Sequence, residues 1–441
     1  LKWPGSKSGF HPLPLSGRQF SNVKNPGFPE KLPAGRRLGR RALLILLLLL
    51  VFASKPLLAA EAASSPYDSL RLFSEALFEI TQKYVYTKSD KDIIYGSIRG
   101  MMNSLDPDCA FLTPQEYQNY QSGHTEATAE AGVDCIIKDG LLSLTAVIDG
   151  GAGAAAGLQP GDHILKINGQ TLRDLTTQEA ASRLRGTPGE TVKLEVLRSG
   201  ALKPLKITVT LKPLGDNTVT YRIINDSYGY VRVRYFNDAT PKEFAIALTA
   251  LQKQAHPLRG LILDLRNDAR GSLEQAVRTA SLLLGDKNVV TAKGRTSGSQ
   301  ETFQGKDRDL VWKAPAPLPT VVLVDQGTAR AAEIVAGALR DQYHATLLGA
   351  KTLGLCGLTK VMPLDDGSAL VMTVAECYTP NGQKIQGVGL EPAIQGQALK
   401  SKENQKEAAM AKLPPEQDPW VQQAVAVLKG GSKPQAAAPK T

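Results

Sequence analysis

Apolar residues recur at helical spacing in the first well-patterned part of the chain. Between Tyr67 and Tyr86 they form one stripe, which comprises Leu70, Phe73, Leu77, Ile80 and Tyr84. Over residues 91–105 they form a second stripe, which comprises Ile94, Ile98, Met101 and Leu105. Because spacings of three and four residues put side chains on one helix face, we predict an N-terminal helical region over 63–126, packed on the following domains.

Alternating apolar and polar positions mark the next region, which we delimit as 127–213. Val192, Leu194 and Val196 alternate with charged neighbours, a pattern typical of a half-buried strand. Thr176 precedes Glu179 at the spacing of a capping box, and we expect Gly186 to close the helix that Thr176 begins. The pattern predicts a mainly-β domain.

Strands and helices then alternate over 214–395. We predict strands at Tyr228–Phe236, Gly260–Leu265, Thr320–Val324 and Ala345–Leu348, and helices from Thr240, at Leu273–Leu284 and at Ala331–Arg340. This order indicates an α/β domain with a largely parallel sheet. Within 396–441 we predict a last helix at Asp418–Lys429 and a disordered tail, rich in Lys, Pro, Ala and Gly.

The N-terminal 62 residues have the pattern of an export signal. Four arginines between Arg36 and Arg41 precede a wholly apolar run over 42–53, which Lys55 and Pro56 end. The run is shorter than an ordinary membrane span. We therefore expect 35–62 to be a signal peptide or an uncleaved N-terminal anchor, and 1–34 to be an unstructured or non-native leader.

The net charge of +10 is concentrated in this N-terminal part. Residues 1–41 hold nine Lys and Arg against Glu30, whereas 61–441 hold 42 basic and 41 acidic residues. A nearly neutral mature part lacks the basic face that nucleic-acid binding requires. We therefore exclude nucleic acid as a partner.

Six short motifs occur in an order that resembles one protein family, over about residues 67–429. They are GMMNSLDP at 100–107, AGAAAGLQPGDHILKING at 152–169, LDLRN at 263–267, DDGSAL at 365–370, YTPNG at 378–382 and GVGLEP at 387–392. Together they resemble the C-terminal processing (tail-specific) serine proteases, and the second resembles a bacterial PDZ domain. The resemblance implies a crotonase-like α/β protease core with an inserted mainly-β PDZ domain and an N-terminal helical segment that supports oligomer contacts.

The residues that carry catalysis in this family are replaced. The family's Ser-Ala-Ser-Ala-Ser-Glu-Ile run here reads TARAAEI at 328–334, which puts Ala332 at the nucleophile position. Leu355 stands at the general-base lysine and Thr359 at the glutamine that orients it. The oxyanion turn is altered, with Arg270 at the first glycine of the family's Pro-Gly-Gly and Gly271 at the second. No intact catalytic residue is expected, because neither a methyl nor an isobutyl group can attack or take a proton.

PDZ domains bind a peptide C-terminus as an added strand, with backbone N–H groups of a loop holding the carboxylate. We place that loop at Ala131, Gly132, Val133 and Asp134. Asp134 departs from the family's apolar pattern and should repel a carboxylate. We therefore predict weakened or altered peptide binding, and the alternative is a purely structural PDZ module.

Other residues offer little chemistry. Two residues are candidate replacement nucleophiles: Thr328, which lies one helical turn before Ala332 and is rather expected to cap the helix, and Cys356, a thiol beside the base position. The five histidines show no metal-ligand spacing, and no phosphate loop or Cys-x-x-Cys motif occurs. We expect neither a metal nor a cofactor.

Export to an oxidising compartment makes the four cysteines candidates for disulfides. A hairpin turning at Asp366-Gly367 would put Cys356 opposite Cys377, about 4.5–5.5 Å apart at Cα, unless a bulge intervenes. We predict a disulfide there, and two buried free thiols are the alternative. The pairing of Cys109 and Cys135 stays open.

These observations favour an exported, periplasmic PDZ pseudoprotease that binds protein C-termini or extended peptides without cutting them. An active protease relative or a second copy of the chain would be further partners. Two alternatives stand: an active serine-type endopeptidase with a relocated nucleophile, and a structural or assembly protein with a vestigial groove. The fold does not decide among them.

Overall fold

The structure, a computed structural model, describes residues 66–122, 128–138, 140–172, 175–215, 217–254, 257–296, 298–305, 312, 318–397 and 413–430. The predicted leader and signal segment, and most of the predicted tail, lie outside these residues. The chain divides into two units after Glu79, and the first described helix spans the division. No helix within the described ranges is long and apolar enough to cross a membrane.

The N-terminal region is helical, as predicted. Its elements are α1 (Pro66–Lys83), α2 (Asp90–Asn103), β1 (Ala110–Leu112) and α3 (Pro114–Ser122). The buried face of α2 differs from the predicted stripe, because Met102, with Ile98 and Tyr95, packs against Phe111 while Met101 is exposed. The buried face of α2 thus shares Ile98 with the predicted stripe but is otherwise displaced by one residue, to Tyr95 and Met102.

The mainly-β unit follows. Its elements are β2 (Ala129–Glu130), β3 (Val133–Lys138), β4 (Leu141–Val147), α4 (Ala152–Ala155), β5 (His163–Ile167), β6 (Gln170–Thr171), α5 (Thr177–Ser182), β7 (Arg185–Gly186), β8 (Thr191–Leu197) and β9 (Leu205–Thr210). The strands form a sheet in the order β3-β4-β5-β8-β9, so β3 is an edge strand. The Thr176 capping box is confirmed. Gly186 does not close the helix, because it lies in β7 and pairs with Ala129 of β2.

The α/β unit contains the remaining elements. They are β10 (Val219–Ile224), β11 (Tyr228–Val233), α6 (Thr240–Gln254), β12 (Gly260–Asp264), α7 (Leu273–Leu284), β13 (Asn288–Gly294), β14 (Gln300–Gln304), β15 (Thr320–Val324), α8 (Ala331–Tyr343), β16 (Thr346–Gly349), β17 (Gly357–Pro363), β18 (Ala369–Tyr378), β19 (Ile394–Gln395), a 3₁₀ turn (Pro415–Gln417) and α9 (Pro419–Leu428). The main sheet has the order β10-β11-β12-β15-β16-β19 and is parallel from β11 onward, as predicted.

Both faces of the main sheet are buried, which explains its nearly continuous apolar strands. Leu263 and Val322 face the core that α6, α7 and α8 cover, while Ile262 and Leu323 face α9. The strands hold the turns that follow β12 and β15 at one edge of the sheet, because parallel strands end at the same edge. These turns carry the positions of interest.

A second sheet of this unit contains the predicted hairpin of β17 and β18. Its turn is longer than predicted, because Pro363 pairs with Ala369 and five residues connect them. A bulge between Leu358 and Thr359 shifts the register by one, so that Gly357 pairs with Glu376.

Candidate functional site

The first turn of α8 holds the residue that the resemblance places at the nucleophile position. Ala332 is completely buried in the first turn of this helix, and its N–H donates to Ala329 O at 3.1 Å. Arg330, the N-cap residue of α8, has φ of +50°, in a region that L residues rarely adopt. The helix thus carries a methyl group at the position where the resemblance implies a nucleophilic hydroxyl.

The loop after β16 holds the base position next to that turn. Leu355 O accepts the Arg330 N–H at 2.9 Å, and Leu355 N–H donates to Glu333 Oε2 at 3.0 Å. Glu333 also accepts from Gly354 N at 2.8 Å and from the Thr352 hydroxyl. Burial raises the pKa of Glu333 to about 7, although these hydrogen bonds oppose the shift. Hydrogen bonds therefore join the start of α8 to the loop at Leu355, the two segments that the resemblance assigns to the nucleophile and the base.

Leu355 itself faces the PDZ-like unit. It packs in a small apolar cluster with Ile136 and Ala146 of that unit and with Ala269 and Ala329 of the core. The side chain at the base position therefore contributes to domain packing. Thr359 lies beyond the bulge in β17, opposite Thr373, and is exposed.

The altered oxyanion turn also contacts the PDZ-like unit. Arg270 binds Glu130 Oε1 at 2.6 Å and Asp134 Oδ1 at 3.0 Å, and donates to Val133 O at 3.3 Å. The two departures from the family pattern, Arg270 and Asp134, therefore pair with each other. The expected repulsion by Asp134 is offset, because a guanidinium lies on its carboxylate. Gly271, the second glycine position, has φ of +121° and lies so close to Phe236 that a Cβ would come within 2.4 Å.

The predicted peptide-binding residues begin the edge strand β3. Ile148 N donates to Gly132 O at 2.9 Å, which makes Val133 and Val147 a non-hydrogen-bonded pair. The backbone groups of Val133 therefore point away from β4, toward the open edge. There Arg270 binds Val133 O, and the Thr177 hydroxyl of α5 accepts from Ile137 N at 3.0 Å. Two backbone groups of the strand-addition edge thus have internal partners, while Ala131 N donates to Leu184 O.

A cavity of about 360 Å³ joins this edge to the oxyanion turn. Its lining includes Glu130, Asp134, Thr177, Arg270 and Arg330. The predicted peptide loop and the turn that carries Arg270 therefore face one space. Cys135 also lines it, and burial raises the pKa of that thiol to about 12, so the thiol is protonated at neutral pH.

Further contacts seat the PDZ-like unit on the core. The Asn267 side chain accepts from Val147 N at 2.8 Å and donates to Val147 O, as a neighbouring strand would. Arg232 binds Asp149 Oδ2 at 2.8 Å. Together with Leu355 and Arg270, these residues form the contact between the PDZ-like unit and the core.

A buried ion network fixes the turn after β12. Asp264 binds Arg266 at 2.6 Å and Arg232 at 3.0 Å, and it accepts from the Tyr230 hydroxyl at 2.8 Å. Arg266 also binds Asp418, the N-cap of α9. Burial alone would raise the pKa of Asp264, but Arg266 and Arg232 hold it well below its usual range. The network anchors the turn that presents Arg270.

The two candidate replacement nucleophiles are poorly placed. Thr328 is fully buried, and its hydroxyl donates to Leu265 O at 2.9 Å and accepts from Asp325 N at 2.9 Å. Its hydroxyl therefore stabilises the turn rather than capping α8, whose N-cap is Arg330. Cys356 is buried, and desolvation followed by its contact with Cys377 raises the pKa of its thiol well above the usual range. A protonated thiol is a poor nucleophile.

The predicted disulfide between Cys356 and Cys377 is not formed. The register that places them opposite each other is confirmed, because Cys377 N donates to Cys356 O at 3.0 Å. Both are free thiols within the main apolar core, where cysteine packs as a small hydrophobic side chain. Cys109 and Cys135 are also buried free thiols.

Sequence reasoning missed three residues of this site. Glu130 shares the Arg270 guanidinium, and Arg330 binds Ala269 O at 3.0 Å and Asp108 through the same cavity. A charged Arg330 within a run of small residues was a signal that could have identified it. Thr177 carried no such signal, because it lies inside a capping-box motif. In the described part of the chain, no His, Cys, Asp and Glu side chains cluster as metal ligands.

Comparisons with known proteins agree with this architecture. Residues 227–395 match the model of peptidase family S41, and residues 144–198 match a PDZ domain. A carboxy-terminal-processing protease of Bartonella bacilliformis is 31% identical over 330 residues, which cover 74% of this chain and 75% of that protein. A carboxyl-terminal-processing protease of Synechocystis is 35% identical over 71% of this chain and 73% of that protein.

A solved structure shows the same fold. The photosystem II D1 C-terminal processing protease superposes with a TM-score of 0.61 at 26% identity, over 74% of this chain and 92% of that one. Sequence matches, superposition and the order of the domains agree. The chain therefore belongs to the carboxy-terminal processing protease family, peptidase family S41, and contains a PDZ domain.

Proposed function

We propose that this chain is an exported pseudoprotease that binds protein C-termini or extended peptides and does not cleave them. The observation that carries the proposal is the pair of side chains at the dyad positions, Ala332 and Leu355, both buried within an intact backbone frame. A Ser-Lys dyad needs a hydroxyl and an amine of depressed pKa. Neither position supplies one, and Arg270 occupies the oxyanion turn.

The surroundings of the other nucleophiles support the absence of cleavage. The Thr328 hydroxyl is buried and bound to Leu265 O, Asp325 N and the Asp325 carboxylate, and Cys356 is a buried, protonated thiol. A general base within hydrogen-bond reach is needed to activate either group. The Thr328 hydroxyl lies 3.1 Å from the Asp325 carboxylate, but Thr328 is completely buried, so a substrate carbonyl cannot approach it. The thiol of Cys356 contacts a second thiol, which cannot serve as a base.

Peptide binding is supported by the edge strand β3 and the cavity beside it. An extended segment adds to a sheet edge by pairing with outward-facing backbone groups, which β3 offers at Val133 and Ile137. The cavity extends from this edge to Arg330, the N-cap of the helix that carries Ala332. Binding at this edge without a nucleophile would retain a protein tail rather than process it.

Location and partners follow from the leader and from the family. The arginines and apolar run at 35–62 favour export to the periplasm or to the outer face of the inner membrane. There the chain would meet the tails of exported proteins, an active protease relative or a second copy. A crotonase-like description of the core is consistent with its parallel sheet and is part of this proposal.

The test measures binding and cleavage in parallel. A peptide library with free apolar C-termini is incubated with the chain, with the double variant Ala332→Ser, Leu355→Lys, and with an active relative as positive control. We expect bound, uncut peptide with the native chain and cleavage by the relative. Cleavage by the native chain would refute the proposal. The nucleophile would then be the residue, Thr328 or Cys356, whose substitution by alanine stops the cleavage.

A structural role with a vestigial groove is the second candidate. It is favoured by the internal partners of Val133 O and Ile137 N, which a bound strand would have to displace. The same library separates the two functions. Peptide binding at micromolar concentrations supports the first, and no binding by the native chain or by a variant with an opened edge supports the second.

A further inference from the structure

Arg270 lies in surroundings that are built to hold a guanidinium group. Its donors reach a carboxylate on β2, Glu130 at 2.6 Å, and a carboxylate on β3, Asp134 at 3.0 Å. A third contact goes to the backbone carbonyl of Val133, and the Tyr235 ring lies 6.0 Å from the guanidinium carbon. Two acids, a carbonyl and an aromatic face match the planar fork of arginine, whereas a single ammonium cannot span them.

This guanidinium lies where a bound peptide would lie. The carbonyl that Arg270 engages belongs to the outward-facing backbone of Val133, which an added strand would pair with through an N–H group. The carboxylates flank the loop that holds the end of a peptide in a PDZ domain. Arg270, which comes from the neighbouring core, therefore occupies the head of the groove as an internal ligand would.

The charges around the groove decide what could replace Arg270. If Arg270 were removed, Glu130 would still have Arg185 as an ion-pair partner at 3.5 Å. Asp134 would lose its ion pair, and its second oxygen is already buried without a hydrogen-bond partner among the described residues. A buried unpaired carboxylate is costly, so the entering group has to supply positive charge and several donors. An acidic or carboxylate group at this point would face two like charges.

We propose that Glu130, Asp134 and the Val133 carbonyl form an arginine subsite at the head of the PDZ groove, and that bound extended segments place an arginine there in exchange for Arg270. This inference rests on the proposed peptide-binding function and names the ligand class. Because Arg270 is tethered beside the subsite, it competes at high effective concentration, and the native groove selects against segments without arginine.

The experiment compares peptides that differ in one charge only. Fluorescent extended peptides carry arginine at one of the last four positions, and each is paired with the same peptide containing citrulline, a neutral analogue of arginine. Binding is measured by fluorescence polarisation with the full chain, Arg270→Ala, Arg270→Lys and Arg222→Ala. Arg222 is a matched control, because it is half-exposed and pairs only at 3.4 Å with Glu416.

We expect the arginine peptides to bind Arg270→Ala at least about tenfold more tightly than their citrulline counterparts. The native chain, Arg270→Lys and Arg222→Ala should bind the same arginine peptides more weakly than Arg270→Ala does. Adding Glu130→Gln and Asp134→Asn to Arg270→Ala should remove the preference for arginine. A thermal shift of Arg270→Ala by N-acetyl-arginine amide, but not by N-acetyl-citrulline amide, should accompany these results.

The other outcomes separate the two proposals. Equal binding of arginine and citrulline peptides by Arg270→Ala overturns the arginine subsite and leaves peptide binding intact. No binding of any peptide by any variant overturns both. If Arg270→Ala does not fold, Arg270→Gln replaces it, because glutamine preserves most of the side-chain volume. The ratio of the dissociation constants for the arginine and citrulline peptides is then measured with Arg270→Gln and with the native chain, and a ratio of one in both overturns the subsite.

Discussion

Glu333 couples the stability of this fold to pH, and the substitution Glu333→Gln isolates its contribution. The carboxyl group is completely buried in the first turn of α8 and joins it to the loop that carries Leu355. Burial raises its pKa from 4.5 to about 7. One pKa unit corresponds to about 1.4 kcal/mol, so the shift corresponds to ~3 kcal/mol.

The sign follows from proton binding. The folded chain binds the proton of Glu333 more tightly than the unfolded chain does, so the stabilising contribution is fully present below about pH 4.5. It falls as the pH rises and is lost above about pH 7. Glutamine offers one acceptor oxygen for the Thr352 hydroxyl and the Gly354 N–H, but its amide NH₂ faces the Leu355 N–H, which donates to Oε2 in the native chain. We therefore expect Glu333→Gln to destabilise the chain at pH 5 by about 1–3 kcal/mol, the cost of an unpaired buried N–H group, and we expect this loss to shrink by up to ~3 kcal/mol at pH 8, where Glu333 is ionised.

Urea unfolding of both chains from pH 5 to pH 8 measures the difference directly. The difference between the two free energies of unfolding removes the contributions of other titrating groups, provided that the slopes with urea agree. Glu416→Gln is a matched control, because Glu416 is about half-exposed and lies far along the chain from the buried carboxyl of α8. A Glu333→Gln effect that is constant across the pH range would refute the argument.

Four further outcomes are expected. Leu355→Ala should destabilise the chain by about 3 kcal/mol in urea unfolding, because it empties part of a buried apolar cluster, and a loss below about 0.5 kcal/mol would contradict that packing. Asn267→Ala should speed amide hydrogen exchange in β4 around Val147 without altering exchange in the main sheet. Cys356 and Cys377 should resist thiol reagents in the native chain and react after unfolding, whereas resistance after unfolding that reductant reverses would indicate a disulfide. Asp268→Asn should stabilise the chain more at pH 8 than at pH 5, because burial raises the pKa of Asp268 well above its usual range.

The main sheet and its helices were predictable, because both faces of the sheet are buried. A strand covered on both sides has a nearly continuous apolar sequence, and the helices between strands carry caps and stripes that the sequence displays. The helix at Leu273–Leu284 and the strand at Thr320–Val324 have the predicted bounds. The buried face of α2 is displaced by about one residue from the predicted stripe, because a stripe on a short helix does not specify which side the neighbouring elements cover.

The pairing of Cys356 with Cys377 illustrates what sequence spacing can and cannot determine. The two positions lie opposite each other, but through two departures that compensate, a longer turn and a bulge at Leu358/Thr359. Register depends on such local backbone choices, and a one-residue slip would have put the cysteines on opposite faces. The oxidation state of the pair depends on chemistry outside the pattern.

The contact between Arg270 and Asp134 could not be predicted, because the residues are 136 positions apart and belong to different domains. Each was visible alone as a departure from the family pattern, and each alone argued for a lost function. Together they form an ion pair that closes the groove head, while Leu355 packs against the same domain and Asn267 pairs with Val147. These contacts thus share one physical consequence, since all of them seat the PDZ domain on the core. Under the function that we propose, Leu355 and Arg270 therefore serve the contact between the two domains rather than catalysis, and the closed groove head is the feature that peptide binding has to open.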